Sequence, residues 1–149
     1  MKRMKIGCMV ALALVGAMAA GAAAQVERGP SSVDGAYRVT WTEKEAIAAG
    51  APYRSAHADF GFAHGQRVVI AITLREGQFS LRDGWHPTCK GSYAVSGQNV
   101  SIHERPPACS GDIRARWSLQ GRLLRLRVTQ ATDPGDKVVF GAKPWRRIG

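Results

Sequence analysis

Apolar and polar residues alternate with a period of two through much of the chain, and the alternation mirrors itself about short glycine-containing breaks. A two-residue turn at Gln120-Gly121 sets Trp117 opposite Leu124, Ala115 opposite Leu126 and Ile113 opposite Val128, leaving only Leu119 and Arg122 mismatched. Folding back at Glu76-Gly77 sets Leu74 against Phe79 and Ile72 against Leu81, with Thr73 and Ser80 on the other face. At Gly97-Gln98, Val95 meets Val100 and Tyr93 meets Ile102, while Ala94 and Ser101 share the opposite side. A slip of one residue in any of these would mix the faces. The pattern therefore predicts three hairpins of an antiparallel sheet with one dry face.

The flanks extend the count. Ala36 to Trp41 reads as a strand with Tyr37, Val39 and Trp41 on one side. Thr42 and Glu45 then have the spacing of a capping box, opening a short helix that runs to Ala49 and stops at Gly50. Pro52 opens a second short helical or irregular stretch as far as Gly65, Asp133-Pro134-Gly135-Asp136 reads as a turn, and Lys143 to Ile148 supplies a closing strand. Eight strands in a meander remove their exposed edges by closing, the last pairing with the first. The expected fold is all-β: an eight-stranded antiparallel meander barrel with a short helical insert after the first strand, placed to cover one mouth. A two-sheet sandwich is the architectural rival.

The first residues read as an address rather than as structure. Lys2, Arg3 and Lys5 precede an apolar stretch from Ile6 to about Ala20, and Ala22-Ala23-Ala24 supplies small residues for cleavage before Gln25. The run is poor in bulky residues and lacks a stop-transfer flank, which favours export, to the periplasm or beyond, over a membrane anchor. Cys8 lies near the start of that stretch instead of at the cleavage point, which argues against a lipid anchor. No later segment is apolar enough to span a bilayer. The expected organisation is residues 1–24 as signal peptide, 25–33 as a flexible segment, and 34–149 as the barrel domain.

Three of the 21 basic residues fall within residues 1–24 and none of the 11 acidic ones does, so the remainder carries 18 against 11, a formal charge of +7. That excess favours anionic partners, although it also serves solubility. Cys89 and Cys109 are the two cysteines left, and an even count in an exported chain reads as a disulfide worth about 3 kcal/mol for a loop of this length. Extending the second hairpin outward brings Cys89 roughly opposite Pro106, so the bridge would tie its open end to the following loop. Zinc ligation, with His86 three residues before Cys89, is the rival reading.

Beyond these patterns, Gly35-Ala36-Tyr37-Arg38, Trp41-Thr42-Glu43, Ala49-Gly50, Cys89-Lys90-Gly91-Ser92-Tyr93, Ser96-Gly97, Trp117-Ser118-Leu119 with Gly121, Asp133 to Asp136, and Lys143-Pro144-Trp145-Arg146-Arg147-Ile148 stand in order along the chain. Together they resemble an uncharacterised lipocalin-like domain family of exported bacterial proteins, some of whose members are attached to extracytoplasmic solute-binding proteins. The resemblance implies a calycin-like barrel and brings no catalytic residue with it. Lipocalins proper open on Gly-x-Trp with a basic side chain over the ring. This chain offers Gly35-Ala36-Tyr37 and, near its end, Arg146 or Arg147.

Two surfaces are candidates for binding. The dry side, with Trp41, Ile72, Phe79, Tyr93, Trp117 and Leu126, would line a cavity for a small apolar or amphipathic molecule. On the wet side the Gln120-Gly121 register sets Arg114 opposite Arg127 and Arg116 opposite Arg125, like charges that repel unless water or an anion intervenes. The strip is either an anion-binding surface, serving an anionic surface or a cell-envelope protein, or a solvated wall partly neutralised by Asp112 and Glu104. Trp85 sits where a strand enters a loop, as a rim aromatic or a packed loop residue. Phe60-Gly61-Phe62, flanked by His57 and His64, serves as lid or anchor. The four histidines, with His86 and His103, show no metal spacing, no serine carries a nucleophile elbow, and no pair of carboxylates can be argued to converge. The reading is a non-enzymatic small-ligand-binding barrel without cofactor or specific nucleic-acid partner. Its rival is an envelope interaction protein or inhibitor using the basic face.

Overall fold

A computed structural model describes residues 33–53, 61–62 and 67–149. Residues 1–24, expected to be a signal peptide, most of the 25–33 segment and much of the insert, including His57, Phe60 and His64, lie outside the described residues. The strands are β1 (Gly35–Thr42), β2 (Arg67–Arg75), β3 (Gln78–Arg82), β4 (Cys89–Ser96), β5 (Asn99–Arg105), β6 (Gly111–Gln120), β7 (Leu123–Ala131) and β8 (Trp145–Arg147). Helix α1 (Glu43–Ala48) follows β1, and α2 (Pro134–Gly141) lies between β7 and β8. Each strand pairs antiparallel with its chain neighbours, and β8 pairs with both β7 and β1, closing the barrel. The result is an eight-stranded closed antiparallel barrel of calycin-like, lipocalin-like topology, with a short helical insert after the first strand.

Two hairpins adopt the register that alternation demands: Leu74 faces Phe79 across β2–β3, and Tyr93 faces Ile102 across β4–β5. The third differs by two residues. Its turn is Gly121-Arg122, so Trp117 faces Leu126, Ala115 faces Val128 and Leu119 faces Leu124. A slide of two keeps every side chain on its own face and replaces the mismatched Leu119–Arg122 pair with an apolar one. It also puts Gly121 at the first central position of the turn with φ +58°, as Gly97 stands at +57° in its own turn. A bulge between Arg114 and Ala115 then sets Arg114 opposite Gln130, and the Thr129 hydroxyl donates to the Arg114 carbonyl at 3.0 Å.

Helix α1 has the full capping box: Thr42 Oγ1 accepts from Glu45 N–H while the Glu45 carboxylate accepts from Thr42 N–H, and Gly50 follows with φ +100°. The Asp133 to Asp136 segment is not a turn between strands. Asp133 caps α2 by accepting from Gly135 N–H, and Pro134 occupies the first turn, where its missing N–H costs nothing. The closing strand is shorter than Lys143 to Ile148, because Pro144 cannot donate to a ladder and pairing starts at Trp145.

The inward faces of all eight strands merge into one apolar core. Phe140 of α2 enters it, its ring centre 6.1 Å from that of Phe79 and 6.0 Å from that of Trp145. Phe62, from the insert, is 2 % exposed and joins the same core, so this residue is an anchor. The two ends of the barrel differ. The end carrying the three tight hairpins is shut by Val33 and Asp34, with the Tyr37 hydroxyl donating to the Val33 carbonyl at 2.8 Å and the Tyr93 hydroxyl donating to the Asp34 carboxylate. The other end carries α1, α2 and the two longer loops, 83–88 and 106–110. Any entrance is there.

Candidate functional site

At that second end lies a pocket of about 320 Å³. Ile70, Leu81 and Val139 form its apolar floor and side, and the Cys89–Cys109 disulfide forms another wall. The bridge joins the start of β4 to the loop beyond β5 with Cα atoms 5.3 Å apart, as the extended hairpin required. The rim is acidic, with Asp83 from the 83–88 loop and Asp133 and Asp136 from the start of α2.

Glu104 is the most unusual group in the pocket. It continues the inward phase of Val100 and Ile102 along β5 and is 6 % exposed. The expectation that it helps neutralise the outer arginines is therefore wrong, because the strand's pleat turns it inward. Asp112 does face outward, accepting from His103 at 2.7 Å. The Glu104 carboxyl lies within 4.8 Å of both disulfide sulfurs, but those sulfurs are bonded to each other, so the cysteines are not zinc ligands here. It makes no hydrogen bond or ion pair with any described residue. Burial, together with the Asp136 and Asp133 carboxylates, weakens it as an acid and pushes its pKa up to about 7.

Carboxylates do converge, contrary to expectation. A point above the Gly111 Cα, where a side chain would begin, is 3.4 Å from Glu104 Oε2 and 3.6 Å from Asp136 Oδ2. The lack of a side chain at Gly111 leaves the two acids facing one space. Their approach was not legible because Asp136 arrives on α2, from a segment that reads as a turn. The inward placement of Glu104 was legible, since the period of two puts it in phase with Val100 and Ile102.

Above the rim, Asp83 organises the 83–88 loop, accepting from the Trp85 and His86 N–H groups at 2.9 Å and from His86 Nδ1 at 2.6 Å. Burial alone would raise the Asp83 carboxyl, but these donors outweigh it and hold it below its ordinary value. Trp85 is 62 % exposed and lies against Gly61, whose added Cβ would meet its ring at 3.3 Å. It rests on the insert and does not border the mouth pocket.

The six residues expected to line a cavity all point into the barrel. Trp41, Ile72, Phe79, Tyr93 and Leu126 are buried in the core and Trp117 is packed against it, its indole N–H donating to the Gly97 carbonyl at 3.1 Å. None of the six borders the mouth pocket.

Comparison with protein-family models, with curated proteins and with solved structures found no match. Among the chain's described residues, no helix is long and apolar enough to cross a membrane. The barrel offers a cavity of a size that accepts small molecules in general.

The outer wall departs from the expected arrangement in detail. Arg116 faces Arg127, Arg125 faces Ser118, and Arg114 faces Gln130. The predicted pairs Arg114–Arg127 and Arg116–Arg125 are thus not directly opposed, because the pairing is shifted by two residues and the bulge moves Arg114 one further. All four arginines remain exposed on one wall.

Proposed function

We propose that this protein is an exported, non-enzymatic binding barrel that takes a small amphipathic molecule at its open mouth. The ligand's apolar part would rest on Ile70, Leu81 and Val139, and a donor or cationic group would meet Glu104. The carrying observation is a nearly buried carboxyl with no partner among the described residues, facing a pocket that is apolar on one side and acidic on the other. Such a group is costly unless something completes it. The basic and then apolar start of the chain supports export.

The probes are octylamine and octanoate, equal in length and opposite in charge, followed by calorimetry. Octylamine should bind at one site and more tightly as pH rises from about 5 to about 8, because Glu104 ionises across that range. Glu104→Gln should weaken it by about tenfold or more. Equal or tighter binding of octanoate at the higher pH would reject the reading. A second reading, recognition through the basic outer wall, is favoured by the four exposed arginines, Arg114, Arg116, Arg125 and Arg127, on the paired strands β6 and β7.

A further inference from the structure

Closure does something to the arginines that no single hairpin reveals. Because β8 lies between β1 and β7, Arg146 stands directly opposite Arg38 and beside Leu123. Arg38 and Arg67 are thereby joined to Arg125, Arg127, Arg116 and Arg114 on one continuous outer wall of five adjacent strands. All seven guanidinium side chains are exposed, and none makes an ion pair with a described carboxylate. Arg116 alone among them has a side-chain partner, Gln98, at 2.8 Å.

The wall is dented at the seam. With β8 only three residues long, a groove of about 640 Å³ opens between Arg38, Arg67 and Arg146, with Val69, Leu123 and Pro144 as its apolar sides. Lys143 also borders it, but its ammonium is already held by Glu45 at 2.9 Å and the Thr40 carbonyl at 2.8 Å.

We propose that this wall docks a linear polysaccharide of uronic acids. Arg38 opposite Arg146 and Arg127 opposite Arg116 are pairs on neighbouring strands about 4.8 Å apart, roughly the spacing of successive sugar rings, while Arg67, Arg125 and Arg114 stand further along their strands. Guanidinium forks match planar carboxylates in a bidentate way. Thr40 and Ser118 add outward hydroxyls for sugar hydroxyls, and the apolar groove sides suit the flat faces of rings. No aromatic ring stands among the outward residues of these strands, so the stacking platform of a single-stranded nucleic-acid site is missing. The wall is convex, so a flat bilayer would touch it along one line only.

The test is affinity electrophoresis and calorimetry of the disulfide-intact protein with polygalacturonate, at about 50 mM and about 300 mM salt. Binding should fall steeply with salt. Arg38→Glu with Arg146→Glu should weaken it by about tenfold or more. Arg82→Glu with Lys90→Glu, an equal charge change on the opposite wall, should leave it within about twofold, as should Glu104→Gln in the mouth. If the reversal pair fails to fold, Arg38→Gln with Arg146→Gln carries the same expectation. Equal losses from both walls would reduce the effect to net charge and overturn the proposal. Tighter binding to a single-stranded oligonucleotide or to phosphatidylglycerol vesicles would overturn it too. Loss of octylamine binding by Glu104→Gln reports only on the mouth, so the two readings fail separately.

Discussion

The Arg147 guanidinium sits over the Tyr37 ring, 5.3 Å from its centre, and donates to the Tyr37 hydroxyl at 3.1 Å. The two residues are 110 positions apart and meet where β8 closes onto β1. The same guanidinium donates to the Asp34 carbonyl, so one side chain binds the first strand, the last strand and the segment that shuts the barrel's end. Gly35 is part of this arrangement: with φ +156° it is extended, and a Cβ there would come within 2.8 Å of Arg147 Nε. Burial raises the pKa of the Tyr37 hydroxyl above its ordinary value, against the opposing pull of Arg147, so the phenol stays a donor.

Removing this contact should loosen the shut end. Tyr37→Phe leaves the Val33 carbonyl without its donor and should destabilise by roughly 1–3 kcal/mol in urea unfolding. Arg147→Ala should cost a similar amount. A double-mutant cycle should show coupling of about 0.5 kcal/mol or more, and strict additivity would refute the linkage.

Glu104 sets a pH dependence. Its carboxyl titrates near 7 when folded, against an ordinary 4.5. Below the lower value both states are protonated and the full contribution is present. As pH rises toward and through 7 the unfolded chain ionises more readily, and the fold loses on the order of 3 kcal/mol. Glu104→Gln should abolish that loss, so its stability relative to the unmodified protein should improve from about pH 5 to about pH 8. Parallel stability curves across that range would contradict the assignment.

Gly91 is required by proximity. A Cβ on it would lie 2.0 Å from the His103 carbonyl oxygen and 3.1 Å from the Glu104 Cα, on the strand it pairs with. Gly91→Ala must push β5 away and is expected to destabilise by about 2 kcal/mol or more. It should also weaken octylamine binding, since Glu104 moves with its backbone. Thermal melting and calorimetry check both effects.

Reducing the Cys89–Cys109 bridge should remove about 3 kcal/mol of stability. The bridge walls the mouth pocket, so octylamine binding should fall on reduction, while polygalacturonate binding at the far seam should persist under conditions where the barrel stays folded. Denaturant titrations with and without reductant measure the first effect, and calorimetry the second.

The sequence by itself determined the features that depend on a strand's pleat or a single helical turn. Alternation placed Tyr37, Ile72, Tyr93 and Leu126 on the dry face, and mirrored alternation located two hairpins in register and the third two residues out of it. The Thr42–Glu45 spacing marked a capping box that formed as read. Even the inward position of Glu104 was present in its phase with Val100 and Ile102. These are local properties, repeated every two or four residues, so neighbours along the chain suffice to reveal them. What only the tertiary structure decided is which distant residues face each other once the sheet closes. The choice of Arg147 over Arg146 to cover Tyr37, the meeting of Arg38 with Arg146, and the approach of Asp136 to Glu104 all depend on where a three-residue strand slots into the barrel. They depend also on how β7 bulges before α2. Such closure is a property of the whole ring of strands, set by their combined twist and register, and no stretch of sequence carries it alone.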